Sequence, residues 1–120
     1  MVRRIWVPRW MYGRRSVRRL LTRSGVADSL RGTRVVVQAM YVARSTASAA
    51  DELVKQIIAD RDADEMIVVA GTAKFLLDLE RAALRRDVTS RLDAVIDTDQ
   101  LIERLEWRLR VKPDFRVGQH

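Results

Sequence analysis

Residues 33–58 read TRVVVQAMYVARSTASAADELVKQII, and this stretch decides the expected fold. The first ten residues are mostly apolar and include three consecutive valines, which is typical of a strand buried on both faces. Later apolar residues recur at spacings of three and four, as on one side of an amphipathic helix: Ala50, Leu53, Val54, Ile57 and Ile58. The segment therefore predicts a central strand, a loop rich in hydroxyl groups, and a helix that packs on the sheet.

The rest of the chain repeats this alternation. Short runs rich in β-formers alternate with segments in which apolar residues recur at helical spacing. The predicted elements are strands at residues 3–7, 33–42, 64–71 and 92–97, and helices at residues 14–24, 48–58, 75–83 and from Thr98 onward, with Thr98 as the N-cap. This order predicts a single small α/β domain with a mostly parallel or mixed sheet of about four strands and about four helices.

The same pattern predicts the boundaries of the domain and the residues of its core. Residues 1–12 are predicted as a basic strand or arm, residues 13–111 as the domain, and residues 112–120 as a polar tail. Residues 11–13, at the boundary between the first two segments, are expected to form a turn. Apolar side chains expected to be buried are Val36, Leu53, Ile57, Val68 and Leu79.

The composition excludes several kinds of catalytic site. The 120 residues contain no cysteine, which rules out disulfides, thiolate metal sites and cysteine nucleophiles. The only histidine is His120, at the end of the sequence, where we expect no partner for proton transfer. Residues 60–64 alternate aspartates as at the start of a calcium loop, but Glu65 stands where such a loop requires glycine. We therefore expect no catalytic residue, no metal, no cofactor and no enzymatic activity.

The sequence also bears on location. No apolar run approaches the roughly 20 residues that cross a bilayer. The basic N-terminus lacks the apolar segment of a secretory signal. We therefore expect a soluble cytoplasmic protein without membrane contact, and the sequence leaves the oligomeric state open.

Positive charge is concentrated at the N-terminal end. Residues 1–34 carry ten arginines and one acid, whereas residues 35–120 carry 13 basic and 15 acidic residues, so the two parts contribute +9 and −2 to the net charge of +7. Trp6, Trp10 and Tyr12 are interleaved with seven arginines: Arg3, Arg4, Arg9, Arg14, Arg15, Arg18 and Arg19. Arginines bind phosphates and aromatic rings stack on bases, so nucleic acid is a candidate partner of this end. The alternative is a basic strand and helix whose aromatic rings cover the end of the core.

The loop before the second helix gathers Ser45, Thr46 and Ser48. Ser48, followed by Asp51 three residues later, fits a capping box in which the serine oxygen accepts a backbone N–H group and the acid reaches back. We therefore predict Ser48 as the N-cap of this helix. The same geometry offers free N–H groups and the positive end of a helix dipole, which can hold a phosphate or another anion. The carboxylates of Asp51 and Glu52 would oppose such an anion.

The order of elements from Thr33 to Leu105 and the phrase SAADELV at residues 48–54 resemble the STAS domain of anti-sigma factor antagonists. The resemblance is closer still to small STAS-like domains of unclear function. In the classical family the corresponding loop reads Asp-Ser-Ser-Gly, and its second serine is phosphorylated to break a complex with an anti-sigma kinase. Ser48 takes the place of that serine and is the one position of the four that agrees. The resemblance implies a STAS-like fold, with Ser48 as the candidate phosphorylation site.

The resemblance further implies a non-enzymatic regulatory binding module. Such a module would dock a protein partner, a regulator or a kinase-like protein, through the loop and helix at residues 45–58. Side chains expected to contact that partner are Ser45, Thr46, Ser48, Asp51 and Glu52. The rival hypothesis, which rests on the charge distribution, is a small basic nucleic-acid-binding protein that uses its arginine-rich N-terminal third.

Overall fold

Strands and helices alternate along most of the chain. The computed structural model describes the backbone of residues 1–114 and the side chains of residues 1–106. The strands are β1 (Val2–Trp6), β2 (Trp10–Met11), β3 (Arg34–Gln38), β4 (Arg44–Ser45), β5 (Glu65–Val69) and β6 (Leu92–Val95). The helices are α1 (Gly13–Arg23), α2 (Ala47–Val54), α3 (Ala73–Arg85) and α4 (Thr98–Asp114), with a π-helical extension of α2 at Lys55–Asp60 and a short 3-10 helix at Thr89–Arg91.

Four strands form a parallel sheet in the order β1-β3-β5-β6. Each strand pairs with the next long strand of the chain, so the helix between them crosses over the sheet. Each new strand is added on the same side of the one before it, and crossovers of the usual right-handed kind then place their helices on one face of the sheet. On that face α1, α2 and α3 lie side by side, with α2 in the middle. The predicted α/β class, with four helices and a mostly parallel four-stranded sheet, is confirmed.

Alternate residues of the strands supply two cores. Val37 and Val68 pack with α1, α2 and α3, whereas Val36 and Ile67 face the other way and pack against Leu101 of α4. This is the period of two that a strand imposes on its side chains. All five side chains that the sequence predicts to be buried have at most 1% of their surface exposed.

The strands differ most from the sequence prediction at the end of β3 and around β2. The central strand ends at Gln38 rather than at residue 42. Residues 11–13 do not form the expected turn, because Met11 belongs to β2 and points into the core. β2 pairs in parallel with β4, and neither of these two-residue strands is long enough to give a periodic signal in the sequence.

The start of the last helix also differs from the prediction. The Oδ1 atom of Asp97 accepts the N–H of Gln100 at 2.9 Å, so Asp97 and not Thr98 caps α4. The side chains of the predicted tail at residues 112–120, including His120, lie outside the described residues. Within the part of the chain that is described, no helix has both the length and the apolar character needed to cross a membrane.

Candidate functional site

The hydroxyl group of Thr46 accepts hydrogen bonds from the first turns of two helices. Thr46 has an extended backbone before α2, and its Oγ1 accepts the N–H of Ala49 at 3.2 Å and the N–H of Gly13 at 2.8 Å. Gly13 is the first residue of α1, so the same oxygen satisfies a free amide at the start of each helix. Ser48 lies inside the first turn, with its Oγ 3.2 Å from the Oγ1 of Thr46. The prediction that Ser48 is the N-cap is therefore wrong, because the cap lies two residues earlier.

The carboxylate of Asp51 does not reach back to the helix start, so the predicted capping box is not formed. Asp51 is buried and accepts hydrogen bonds from Arg14 at 2.7 Å, Arg86 at 2.8 Å and Arg85 at 3.2 Å. Burial alone would raise the pKa of Asp51, but the hydrogen bonds from the three arginines outweigh it and hold the pKa well below its usual range. Asp51 thus joins α1, α2 and the end of α3.

Glu52 forms a second buried junction beside Asp51. Its carboxylate accepts hydrogen bonds from Gln56 at 2.7 Å, Arg14 at 3.2 Å and Arg18 at 3.4 Å. Burial raises the pKa of Glu52, but these hydrogen bonds lower it further than burial raises it. Arg14 therefore bridges both carboxylates, and charge as well as apolar packing holds α1 against α2.

An open cavity of about 550 Å³ lies beside Asp51 at the first turn of α2. The residues that line it are Arg14, Ala47, Ser48, Asp51, Arg85 and Arg86. Arg85 and Arg86 are not among the site residues predicted from the sequence. Basic residues are common at the end of a helix, where they interact favourably with the helix dipole, so they do not by themselves indicate a binding site. No local pattern could have distinguished them from solvated charges.

Four aromatic side chains are exposed near the carboxyl ends of strands. The exposed fractions are 51% for Trp6, 59% for Trp10, 53% for Tyr12 and 64% for Tyr41. Trp6 ends β1 and stacks on Tyr41, which follows the neighbouring strand β3, with ring centroids 6.1 Å apart and 29° between the ring planes. Met11 points inward, so Trp10 and Tyr12 on either side of it point outward. About half of each ring is still covered by the protein, so the alternative in which the rings cover the end of the core stays a prediction.

Two backbone segments run side by side and bring Arg44 next to Trp10. The carbonyl group of Arg9 accepts the N–H of Ala43 at 2.8 Å and the N–H of Arg44 at 3.2 Å, and Trp10 pairs in register with Arg44. We call the exposed side chains of these segments the aromatic surface: Trp6, Arg9, Trp10, Tyr12, Tyr41 and Arg44. Sequence reasoning missed Tyr41 and Arg44, although their place just after the central strand is where open α/β sheets bind ligands.

The seven arginines predicted to contact nucleic acid fall into two groups. Three of them bind other parts of the protein: Arg3, which donates to the carbonyl group of Ser24, and Arg14 and Arg18, which pair with the buried carboxylates. The other four are exposed: Arg4, Arg9, Arg15 and Arg19. The side chains of Arg14 and Arg18 also stay 44% and 60% exposed. Arg15, Arg18 and Arg19 line a shallow groove of about 420 Å³ on α1. The basic segment is therefore partly structural and partly available to a ligand.

The residues predicted to contact a protein partner are only partly accessible. Ser45, Asp51 and Glu52 are buried, whereas Thr46 and Ser48 are partly exposed. Because α2 lies between α1 and α3, most of its length is covered by its neighbours. Docking through residues 45–58 stays a prediction, and the accessible parts of that segment are the first turn of α2 and, near its other end, Lys55 and Gln56.

Comparisons of the sequence with protein families, with curated proteins and with solved structures found no match. The resemblance to STAS domains therefore stays a hypothesis.

Proposed function

We propose that the protein binds single-stranded nucleic acid through the aromatic surface. The observation that carries this proposal is the exposure of four aromatic rings, each more than half accessible: Trp6, Trp10, Tyr12 and Tyr41. Bases stack on such rings with a contribution of about 1–3 kcal/mol per base. Since the base faces of a duplex are already stacked on one another, exposed rings favour an unpaired strand.

The arginines around these rings supply attraction to the phosphate backbone. Arg9 and Arg44 lie within the aromatic surface, and Arg4 lies two residues before Trp6 on the same face of β1. Phosphate contacts position a protein without reading bases, so we expect little sequence preference. For a single strand, each neutralised phosphate should contribute about −0.7 to the slope of log affinity against log salt concentration.

The position of the rings agrees with the way parallel sheets bind ligands. In open α/β sheets, ligands bind beyond the carboxyl ends of the strands. Trp6 is the last residue of β1 and Tyr41 follows β3, and these two strands are neighbours in the sheet. A strand of nucleic acid bound at this edge would contact the stacked Trp6–Tyr41 pair and the nearby arginines.

The experiment is a titration of fluorescently labelled single-stranded DNA and RNA followed by anisotropy. Replacing Trp6 or Trp10 by leucine should weaken binding about tenfold, because one stacking contact is lost. The control is Leu84→Ala, which removes an exposed apolar side chain of α3 outside the aromatic surface. Circular dichroism should show that all variants keep the parent fold.

Several results would contradict this function. The parent protein should bind at low salt, and its affinity should fall as salt rises. Absence of binding, tryptophan variants that bind as tightly as the parent, or tighter binding to duplex than to single strands would each overturn the proposal.

Docking of a protein partner at residues 45–58 is the second candidate function. It is supported by the accessible first turn of α2, where Ala47 is exposed and Ser48 is partly exposed. The discriminating experiment is a pull-down with the isolated protein. Docking predicts one stoichiometric protein partner that survives nuclease, whereas nucleic-acid binding predicts captured material that nuclease removes.

A further inference from the structure

We propose that the cavity beside Asp51 binds a phosphate monoester as its dianion. This site lies outside the aromatic surface, and its occupancy does not depend on nucleic-acid binding. Its volume of about 550 Å³ falls within the roughly 300–1,000 Å³ of small-ligand pockets. The cavity can therefore hold a phosphate group together with part of the molecule that carries it.

Positive charge exceeds negative charge around the cavity. The ion-paired network consists of four cations and two anions, and therefore sums to +2: Arg14, Arg18, Arg85, Arg86, Asp51 and Glu52. A phosphate monoester carries about −1.5 to −2 charges at pH 7. Such a ligand would balance the excess, whereas a single carboxylate would balance half of it.

The arginines also have donors that Asp51 does not use. Arg85 and Arg86 each contact Asp51 through one terminal nitrogen, Nη2, and not through the bidentate fork that arginine commonly forms with a carboxylate. A guanidinium group has five N–H donors, so Asp51 takes up only part of those that these two side chains offer. Phosphate, with its terminal oxygens, is the ligand whose geometry matches several guanidinium groups at once.

The first turn of α2 adds donors to the wall of the cavity. Ala47 and Ser48 are the first two residues of the helix and both line the cavity. Amides at this position have no carbonyl group within the helix to bind, and the helix dipole is positive at this end. The Ser48 hydroxyl group lies at the same wall. The three arginines are the main attraction for the ligand, and the helix end strengthens it.

Asp51 repels the anion that the arginines attract. Its replacement by asparagine would raise the net charge of the network from +2 to +3. Asp51→Asn should therefore bind phosphate more tightly than the parent does, even where it lowers stability. A cluster that serves only to neutralise buried Asp51 predicts no phosphate binding by the parent protein, because its arginines become free to bind an anion only in Asp51→Asn.

The test is calorimetric titration of the full chain with inorganic phosphate at neutral pH, with ionic strength held constant by chloride. We expect one phosphate per chain. Arg85→Gln should weaken binding roughly tenfold, because one charge-assisted hydrogen bond is lost. The matched control is Arg81→Gln on the same helix, which removes the same charge outside the cavity lining and should change affinity less than about twofold. No saturable binding at tens of millimolar phosphate, or equal weakening by both substitutions, would overturn the proposal.

A second pair of titrations identifies the source of the phosphate. If the source is the end of a nucleic-acid strand, a 5′-phosphorylated oligonucleotide should bind more tightly than its 5′-hydroxyl form, and Arg85→Gln should abolish that difference. If the source is a small phosphorylated molecule, inorganic phosphate should bind while the two oligonucleotides bind alike. Trp6→Leu separates this site from the proposed function, because it should weaken oligonucleotide binding and leave the binding of inorganic phosphate unchanged.

Discussion

Replacing Thr46 by alanine should lower the free energy of unfolding by about 2 kcal/mol. The Oγ1 of Thr46 accepts the N–H of Ala49 in α2 and the N–H of Gly13 in α1. Loss of the N-cap of α2 costs about 1 kcal/mol. The part-buried amide of Gly13 then also lacks a partner, which costs about 1 kcal/mol more. For a domain of this size, such a loss corresponds to a fall of about 8 °C in melting temperature.

Denaturant melts followed by circular dichroism would measure this loss in Thr46→Ala, Thr46→Ser and Ser48→Ala. The serine at position 46 keeps the hydroxyl group, so Thr46→Ser should lie close to the parent. Ser48→Ala should change the free energy of unfolding by less than about 0.5 kcal/mol, because Ser48 lies within the turn and caps no amide. Equal losses in Ser48→Ala and Thr46→Ala would refute the assignment of Thr46 as the cap.

Three further predictions concern the core, the buried carboxylates and the exposed arginines. Phe75→Ala should destabilise by about 3–5 kcal/mol, because Phe75 is fully buried in the larger core; a loss below about 1 kcal/mol in denaturant melts would contradict its place there. Asp51 and Glu52 have folded pKa values below their ordinary values of 3.8 and 4.5. The ion pairs of these two carboxylates therefore contribute fully to stability above those pH values, and the contribution is lost as the pH falls through the folded pKa values. The melting temperature should drop below about pH 4, and it should drop less in Asp51→Asn. A melting temperature that does not change in acid would contradict this. Arg9→Gln combined with Arg44→Gln should leave stability within about 0.5 kcal/mol of the parent, because both side chains are exposed. The double variant should also make the salt slope of nucleic-acid binding shallower by about 0.7 per lost contact, whereas an unchanged slope would show that neither arginine contacts phosphate.

The apolar pattern is enough to predict the α/β class and the core, because burial follows from periodicity. Helix starts are harder to predict, because Thr46 and Ser48 are both residue types that begin helices. The pairing between β2 and β4 determines that Thr46, and not Ser48, is the N-cap of α2. Met11 lies opposite Ser45, and the N–H of Thr46 donates to the carbonyl group of Met11 at 3.0 Å, so the chain stays extended through Thr46 and turns immediately after it.

The partners of the charged residues cannot be predicted from the sequence, because they depend on which helices become neighbours. Asp51 contacts Arg85 and Arg86, which lie 34 and 35 residues later in the chain, and no local spacing connects them. The strand order β1-β3-β5-β6 brings them together by placing α2 between α1 and α3. Another order of the same parallel strands would fit the same apolar pattern and would separate these charges.

The arginines of α1 have two different roles for the same reason. Arg14 and Arg18, four residues apart, lie on the side of α1 that faces α2 and pair with its buried carboxylates. Arg15 and Arg19 lie one position further along and are therefore rotated by about 100° around the helix, toward solvent. Replacing Arg14 and Arg18 would leave buried carboxylates short of partners, so a variant that lacks all four arginines would lose stability as well as charge. The ten arginines of residues 1–34 therefore overstate the positive charge that this end can offer to a polyanion, because some of them are already paired with buried carboxylates.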